Sequence, residues 1–86
     1  MSVNSHARPG DMGVVVAGNT QLHEQNPDAT YGHHAGDHRL QAGAHCVILN
    51  KVPAGSAKLG NVFLVFVEGR VGWLWNHDLM VWDDLA

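Results

Sequence analysis

The stretch that most constrains the fold runs from Val62 to Leu79 and reads VFLVFVEGRVGWLWNHDL. Its first six residues are all aliphatic or aromatic, a composition typical of a β-strand. Gly69 predicts a tight turn, because glycine readily adopts the positive φ that such turns need. A second apolar run then ends at Asn76–Asp78, which fits one 3₁₀ turn. The stretch therefore predicts a hairpin followed by a single helical turn.

Three other segments are apolar or β-branched in the same way and lie next to turn-forming residues. Five strands are predicted in all: Gly13–Ala17, Ala44–Leu49, Val62–Val67, Gly72–Trp75 and Met80–Trp82. Residues 18–39 and 50–61 contain several Gly, Asn and Pro residues and are predicted to be loops. A loop as long as the first is uncommon in a compact domain, unless it is functional or folds back as an irregular hairpin.

At 86 residues the chain is long enough for one domain and one core. Hydrophobic residues make up 45% of it and charged residues only 15%, so part of its apolar surface is expected to meet a partner. The five basic residues are scattered along the chain, and the net charge is −3 with neutral histidines. Nucleic-acid binding is therefore disfavoured, because it needs several cations on one face.

The cellular setting follows from what the sequence lacks. No run approaches the ~18 apolar residues of a membrane span, and the N-terminus has no signal-peptide pattern. Cys46 is the only cysteine, so the intramolecular disulfides on which small secreted domains usually depend cannot form. A soluble cytoplasmic protein without a membrane partner is expected, and its small size favours an origin in a phage or another mobile element.

In its order of elements the chain resembles an SH3-like barrel over Gly13–Trp82, nearly its whole length. Leu40, followed by Gly43 and an apolar strand, is similar to the segment that leads into the family's second strand. Gly69 and the sequence Gly72–Leu74 resemble its distal turn and its glycine-aromatic-aliphatic fourth strand. The resemblance implies an all-β fold, namely a single five-stranded SH3-like barrel over residues 13–86 with a long first loop and one short 3₁₀ turn.

Residues 1–12 are then expected to be a flexible N-terminal tail. The chain departs from SH3 domains that bind proline-rich peptides, which carry an acidic first strand with a tyrosine, a tryptophan opening the third strand, and a proline and a tyrosine beside the 3₁₀ turn. The corresponding places hold Val14–Val16, Asn61 with Val62, and Trp75 with Asp78. The chain is therefore more similar to bacterial and phage SH3-like domains, and no proline-rich ligand is implied.

The fourth predicted strand carries the candidate partner-binding surface. If Leu74 points inward, as the family's aliphatic residue does, alternation places Trp73 and Trp75 together on the outer side. The third strand is apolar on both faces. One face packs against the core, and the other would be exposed to solvent unless another surface covers it. That cover comes from the chain's own long loop or from another protein, of which a second copy is the simplest form. Trp73, Trp75 and Asp78 are the predicted partner-binding residues, and Trp82 belongs to this surface or to the core.

Three of the seven histidines lie close together in the long loop. His33, His34 and His38, with Asp37 beside them, would bind zinc if the loop folded so that they converge tetrahedrally. The alternative is a solvated or hydrogen-bonded histidine loop, because neither a cysteine pair nor a helical His-Glu-x-x-His motif accompanies them. No other cofactor is predicted.

No catalytic residue is predicted. Cys46 alternates inward with Ile48, where a thiol behaves as a small apolar group. The leading hypothesis is a non-catalytic protein-interaction or structural module that self-associates. The alternative is an oligomeric barrel enzyme or small-molecule binder with a site between subunits. The plasmid-borne trimethoprim-resistant dihydrofolate reductases are built in this way, although they resemble this chain only in size and barrel class. A metal-binding histidine-loop protein is the third hypothesis.

Overall fold

The computed structural model describes residues 7–27, 38–53, 55 and 60–81. The strands are β1 (Met12–Val15), β2 (Thr20–Leu22), β3 (His38–Leu40), β4 (His45–Pro53), β5 (Asn61–Val67), β6 (Arg70–Trp75) and β7 (Leu79–Val81). One 3₁₀ turn, Asn76–Asp78, lies between β6 and β7. Within these ranges there is no α-helix, and hence none that is long and apolar enough to cross a membrane. The all-β class predicted from the sequence is confirmed for this part of the chain.

Five of the strands form one antiparallel sheet in the order β6-β5-β4-β1-β7. β2 and β3 form a separate two-stranded antiparallel hairpin. Over the described residues neither sheet closes on itself, so β6 and β7 are the edges of the larger one. A backbone bridge between His23 and Trp73 attaches the hairpin to the β6 edge.

Strand β4 links the two halves of the larger sheet and is longer than predicted, since it reaches Pro53 instead of ending at Leu49. Its pairing with β5 shifts register between Ile48 and Asn50, as it does at a β-bulge. A bulge bends a strand, so the first half of β4 can pair with β1 while the second half follows β5. Residues 50–53 are predicted to begin a loop because Asn50 and Pro53 are of types that are typical of turns.

The predicted long loop, residues 18–39, contains the β2–β3 hairpin. Its register begins with Thr20 opposite Leu40, and the Thr20 hydroxyl donates a hydrogen bond to the Ala17 carbonyl at 2.8 Å. Each of these strands has only three residues, which is too short for an alternating pattern to stand out from the turn-forming residues around it. Residues 28–37 lie outside the described ranges.

The core contains side chains from both sheets. Its largest fully buried members are Val15, Leu40, Ile48, Phe63, Val65, Val67, Leu74, Leu79 and Val81. Leu22 and Leu40 bring the hairpin into this cluster. Gly72 permits the close approach of β2, because a Cβ at this position would lie 2.5 Å from Leu22 Cγ and 2.9 Å from the His23 carbonyl oxygen.

The residues just before β1 are attached to the folded domain. Ala7 is buried within the core cluster, and the Gly10 N–H donates a hydrogen bond to the Ile48 carbonyl at 2.7 Å. The Arg8 N–H donates to Asp11 Oδ2 at 2.9 Å. Residues 7–11 thus differ from the flexible tail expected over residues 1–12, of which 1–6 lie outside the structure's described part.

Candidate interaction surface

Cross-strand pairing places nine side chains of β4, β5 and β6 on one side of the sheet, which we call the outer face. Residues directly opposite each other in an antiparallel pair project from the same side. The first row is Val47, Phe66 and Val71, the second is Asn50, Leu64 and Trp73, and the third is Val52, Val62 and Trp75. Eight of these nine residues are apolar and none ionises, while the exposed His45, two residues before Val47 on β4, projects from the same side beside them.

The opposite side of the same strands faces the core. Phe63, Val65 and Val67 of β5 are fully buried, and so is Leu74 of β6. This alternation confirms the inward direction of Leu74, and with it the expectation that β5 is apolar on both sides. Because the core occupies the inner side, the outer face must be covered by other means or remain exposed.

The third row of the outer face is already covered. Val62 is 0% exposed, yet it does not belong to the main core cluster. Its cross-strand neighbours Val52 and Trp75 are half-buried beside it. The Trp75 ring is stacked with the His77 imidazole, with centroids 6.4 Å apart and an interplanar angle of 8°. These residues form a small apolar cluster of their own at this end of the sheet.

The first row is open. Phe66 is 46% exposed and Val71 is 57% exposed. Met12 of β1 lies opposite Val47 and is 42% exposed, so the apolar row continues over four adjacent strands. Neither Val71 nor Met12 is among the partner-binding residues that the sequence predicts. The signal for Val71 was available, because it lies two residues before Trp73 and therefore on the same side of β6.

Both tryptophans of β6 are half-buried. The Trp73 N–H donates a hydrogen bond to the His23 carbonyl at 2.8 Å, and the His23 N–H donates to the Trp73 carbonyl at 2.9 Å. The long loop therefore runs along the edge of the sheet at Trp73. The exposed part of the outer face is centred on Phe66 and Val71, one row away from Trp73 and two rows away from Trp75.

Asp78, the third predicted partner-binding residue, is buried at the end of the outer face. Its Oδ2 accepts the Trp75 N–H at 3.3 Å, and its Oδ1 lies 3.4 Å from His77 Nε2. Burial raises the pKa of Asp78 above its ordinary value, while His77, the Trp75 N–H and His23 act in the opposite direction. The Asp78 carbonyl also accepts the Val16 N–H at 3.0 Å. These contacts make Asp78 a residue that holds the 3₁₀ turn in place.

The predicted zinc ligands are only partly described. His38 begins β3, whereas His33, His34 and Asp37 lie outside the described residues, as does Trp82. Within the ranges that the structure describes, no three His, Cys, Asp or Glu side chains come together as a metal site. Zinc binding by the histidine loop stays a prediction.

Two features bear on the alternative of an enzyme or a small-molecule binder. Burial raises the pKa of Cys46 to about 11, although a hydrogen bond with the Gly13 backbone acts to lower it. The thiol is therefore neutral at physiological pH and a poor nucleophile. A surface cavity of about 410 Å³ is lined by Gly18, Asn19, Arg39, Leu40, Gln41 and Ala42. Among the described residues of this lining Arg39 alone ionises, so this part of the cavity does not bring an acid and a base together.

Comparison of the chain with protein-family models, with curated proteins and with solved structures finds no match. The case for a function therefore rests on the residues of the outer face.

Proposed function

We propose that this chain is a non-catalytic protein-interaction module whose contact surface is the outer face. The observation that carries the proposal is the open first row, in which Phe66 and Val71 are about half exposed side by side. Contiguous exposed apolar side chains on a soluble domain mark interaction sites, whereas isolated ones need no explanation. A face of eight apolar residues with one histidine, His45, beside it suits contact with another apolar surface better than it suits acid–base chemistry.

We also propose that the fold is an SH3-like barrel. The hairpin inside the long first loop, the tight turn between β5 and β6, and the 3₁₀ turn before β7 occur in the order that the resemblance implies. The bulge in β4 supports the same arrangement, because it bends the sheet around the core. The β2–β3 hairpin packs on the core from the side of the β6 edge.

The energetics favour the first row as the centre of the contact. Full burial of a large apolar side chain contributes about 1.5–3 kcal/mol, so the exposed halves of Phe66 and Val71 contribute roughly 2 kcal/mol together. Aromatic residues near the centre of an interface usually dominate its energy. Phe66 is therefore the expected anchor, and the half-buried Trp73 lies at the border of the contact.

Photo-crosslinking inside the cells that naturally express the protein tests this proposal. Val71 is replaced by p-benzoylphenylalanine in one variant and Val16 in a matched control. Val16 is 47% exposed and apolar, but it lies four residues along the chain from Met12, which is about 13 Å in extended chain. We expect one discrete crosslinked product from position 71 and none from position 16.

Phe66→Ser in the position-71 variant should remove that product, because Phe66 is the cross-strand neighbour of Val71. Equal crosslinking from positions 71 and 16, or none from position 71, would contradict an interaction role for the outer face.

A further inference from the structure

We infer that the cavity beside the β2–β3 hairpin binds a small molecule that carries one carboxylate group, with Arg39 as its ion-pair partner. The inference goes beyond the proposed function, because none of the described residues of the lining belongs to the outer face. Three properties carry it: the place of the cavity in the fold, the hydrogen bonds that hold its walls, and the charge of Arg39.

The cavity lies where the two strands of the hairpin separate. Thr20 opposite Leu40 is the pair at the open end of the hairpin. The first wall is residues 18–19, which lead into β2, and the second wall is residues 39–42, at the end of β3 and just after it. The volume of about 410 Å³ lies within the roughly 300–1,000 Å³ that is typical of ligand pockets. The cavity is therefore large enough for a small organic molecule.

Hydrogen bonds hold both walls in place. The Thr20 hydroxyl donates to the Ala17 carbonyl at 2.8 Å, and this bond closes the chain around the first wall. The Gly43 N–H, directly after the second wall, donates to the Val15 carbonyl at 2.7 Å and ties that wall to β1. A ligand therefore meets a cavity that is already formed, so little ordering of the chain opposes its binding.

Arg39 brings a positive charge to the cavity. Its side chain is exposed, and the guanidinium makes no ion pair or hydrogen bond within the described residues. Gln21, its cross-strand neighbour, has a buried Oε1 without a hydrogen-bond partner, so the guanidinium is not bonded there either. Arginine presents a planar fork of donors that matches a carboxylate through two parallel hydrogen bonds. The guanidinium is therefore available to a ligand of this kind.

The charges favour a ligand with a single negative charge. Among the described residues of the lining Arg39 alone ionises, so one cation without a competing acid faces the ligand there. The net charge of −3 opposes ligands with several negative charges. Asn19 and Gln41, the two amide residues of the lining, can exchange hydrogen bonds with the uncharged rest of the molecule. A monocarboxylate of modest size fits these properties best.

Titration of the full chain with carboxylates, followed in ¹H–¹⁵N correlation spectra, tests the inference. The probes are acetate, hexanoate, benzoate and indole-3-acetate, each compared with its uncharged primary amide. We expect at least one carboxylate to shift the amide signals of both walls along one saturating curve, with a dissociation constant of roughly 1 mM. The matching amide should bind at least about tenfold more weakly, because it lacks the charge that pairs with Arg39.

Arg39→Gln should also weaken the binding by at least about tenfold, since it removes the guanidinium. Arg70→Gln is the matched control, because it removes the same charge from another exposed arginine. The chains run antiparallel at the His23–Trp73 bridge, so Thr20 and Arg70 lie on opposite sides of it, roughly 20 Å apart along the strands. Arg70→Gln should therefore leave the dissociation constant unchanged.

Four results would overturn the inference. They are spectra that none of the probes changes, shifts centred away from the two walls, equal affinity for a carboxylate and its amide, and equal weakening by the two substitutions. Spectra of both variants without ligand check that they remain folded, and the comparison of each carboxylate with its amide needs no variant.

Discussion

Trp73 and His23 exchange two backbone hydrogen bonds, with N···O distances of 2.8 and 2.9 Å, and this bridge fastens the β2–β3 hairpin to the edge of the larger sheet. It also positions Leu22, the residue before His23, against the inner side of β6 at Gly72. The same contact therefore completes the core on the inner side of β6 and places the backbone of His23 beside that of Trp73.

Gly72→Ala should destabilise the protein by about 2 kcal/mol or more, because the new Cβ would overlap Leu22 and the backbone of His23. Gly18→Ala is the control, since a Cβ there meets nothing within 4 Å, and it should change stability by less than about 1 kcal/mol. Urea unfolding of both variants measures the difference. Equal stability of the two would show that the hairpin does not pack on β6 in this way.

The two phenylalanines of β5 should respond very differently to truncation. Phe63 is fully buried in the core, so Phe63→Ala should cost about 3–5 kcal/mol in the free energy of unfolding. Phe66 projects from the outer face and is 46% exposed, so Phe66→Ala should cost about 1 kcal/mol or less. Chemical denaturation at low protein concentration compares them. A larger loss at Phe66 would reverse the assignment of the inner and outer faces.

Because its pKa is raised, Asp78 should stabilise the fold more at low pH than at neutral pH. The folded protein binds this proton more tightly than the unfolded chain does, so the resulting stabilisation is complete below the ordinary pKa of 3.8 and is lost as the pH rises through the raised value. The free energy of unfolding of the native chain relative to Asp78→Asn should therefore fall as the pH rises from 3.8 towards neutrality. Urea titrations of both proteins at several pH values measure this difference, and a rise with pH would mean that the pKa is lowered.

Cys46 should react slowly with a thiol reagent such as dithionitrobenzoate. Its side chain is buried, and its pKa of about 11 leaves little thiolate at pH 8. We expect the reaction to be at least about a hundredfold slower in the native protein than in urea. Fast modification of the native protein would place the thiol at an accessible site and revive a catalytic hypothesis.

Much of the fold could be predicted from the sequence, because composition and period-two alternation report on burial wherever a strand is long. The strands near Val62–Val67 and Gly72–Trp75, the turn at Gly69 and the 3₁₀ turn all occur close to their predicted positions. β2 and β3 could not be found in this way, because three residues are too few to show a period.

The candidate surface was predicted only in part. Alternation identified the outward side of β6 and the second apolar side of β5. It could not rank the outward residues by exposure, because that depends on which neighbours cover them in the folded chain. In the folded chain Trp73 and Trp75 are half-buried, whereas Met12, Phe66 and Val71 are 42%, 46% and 57% exposed.

The central claim is that the outer face is a contact surface, and photo-crosslinking from position 71 in the cells that express the protein tests it most directly. With p-benzoylphenylalanine in place of Val71, we expect one discrete product, which Phe66→Ser removes because Phe66 lies opposite Val71. No product from position 71, or an equal product from position 16, would contradict the claim.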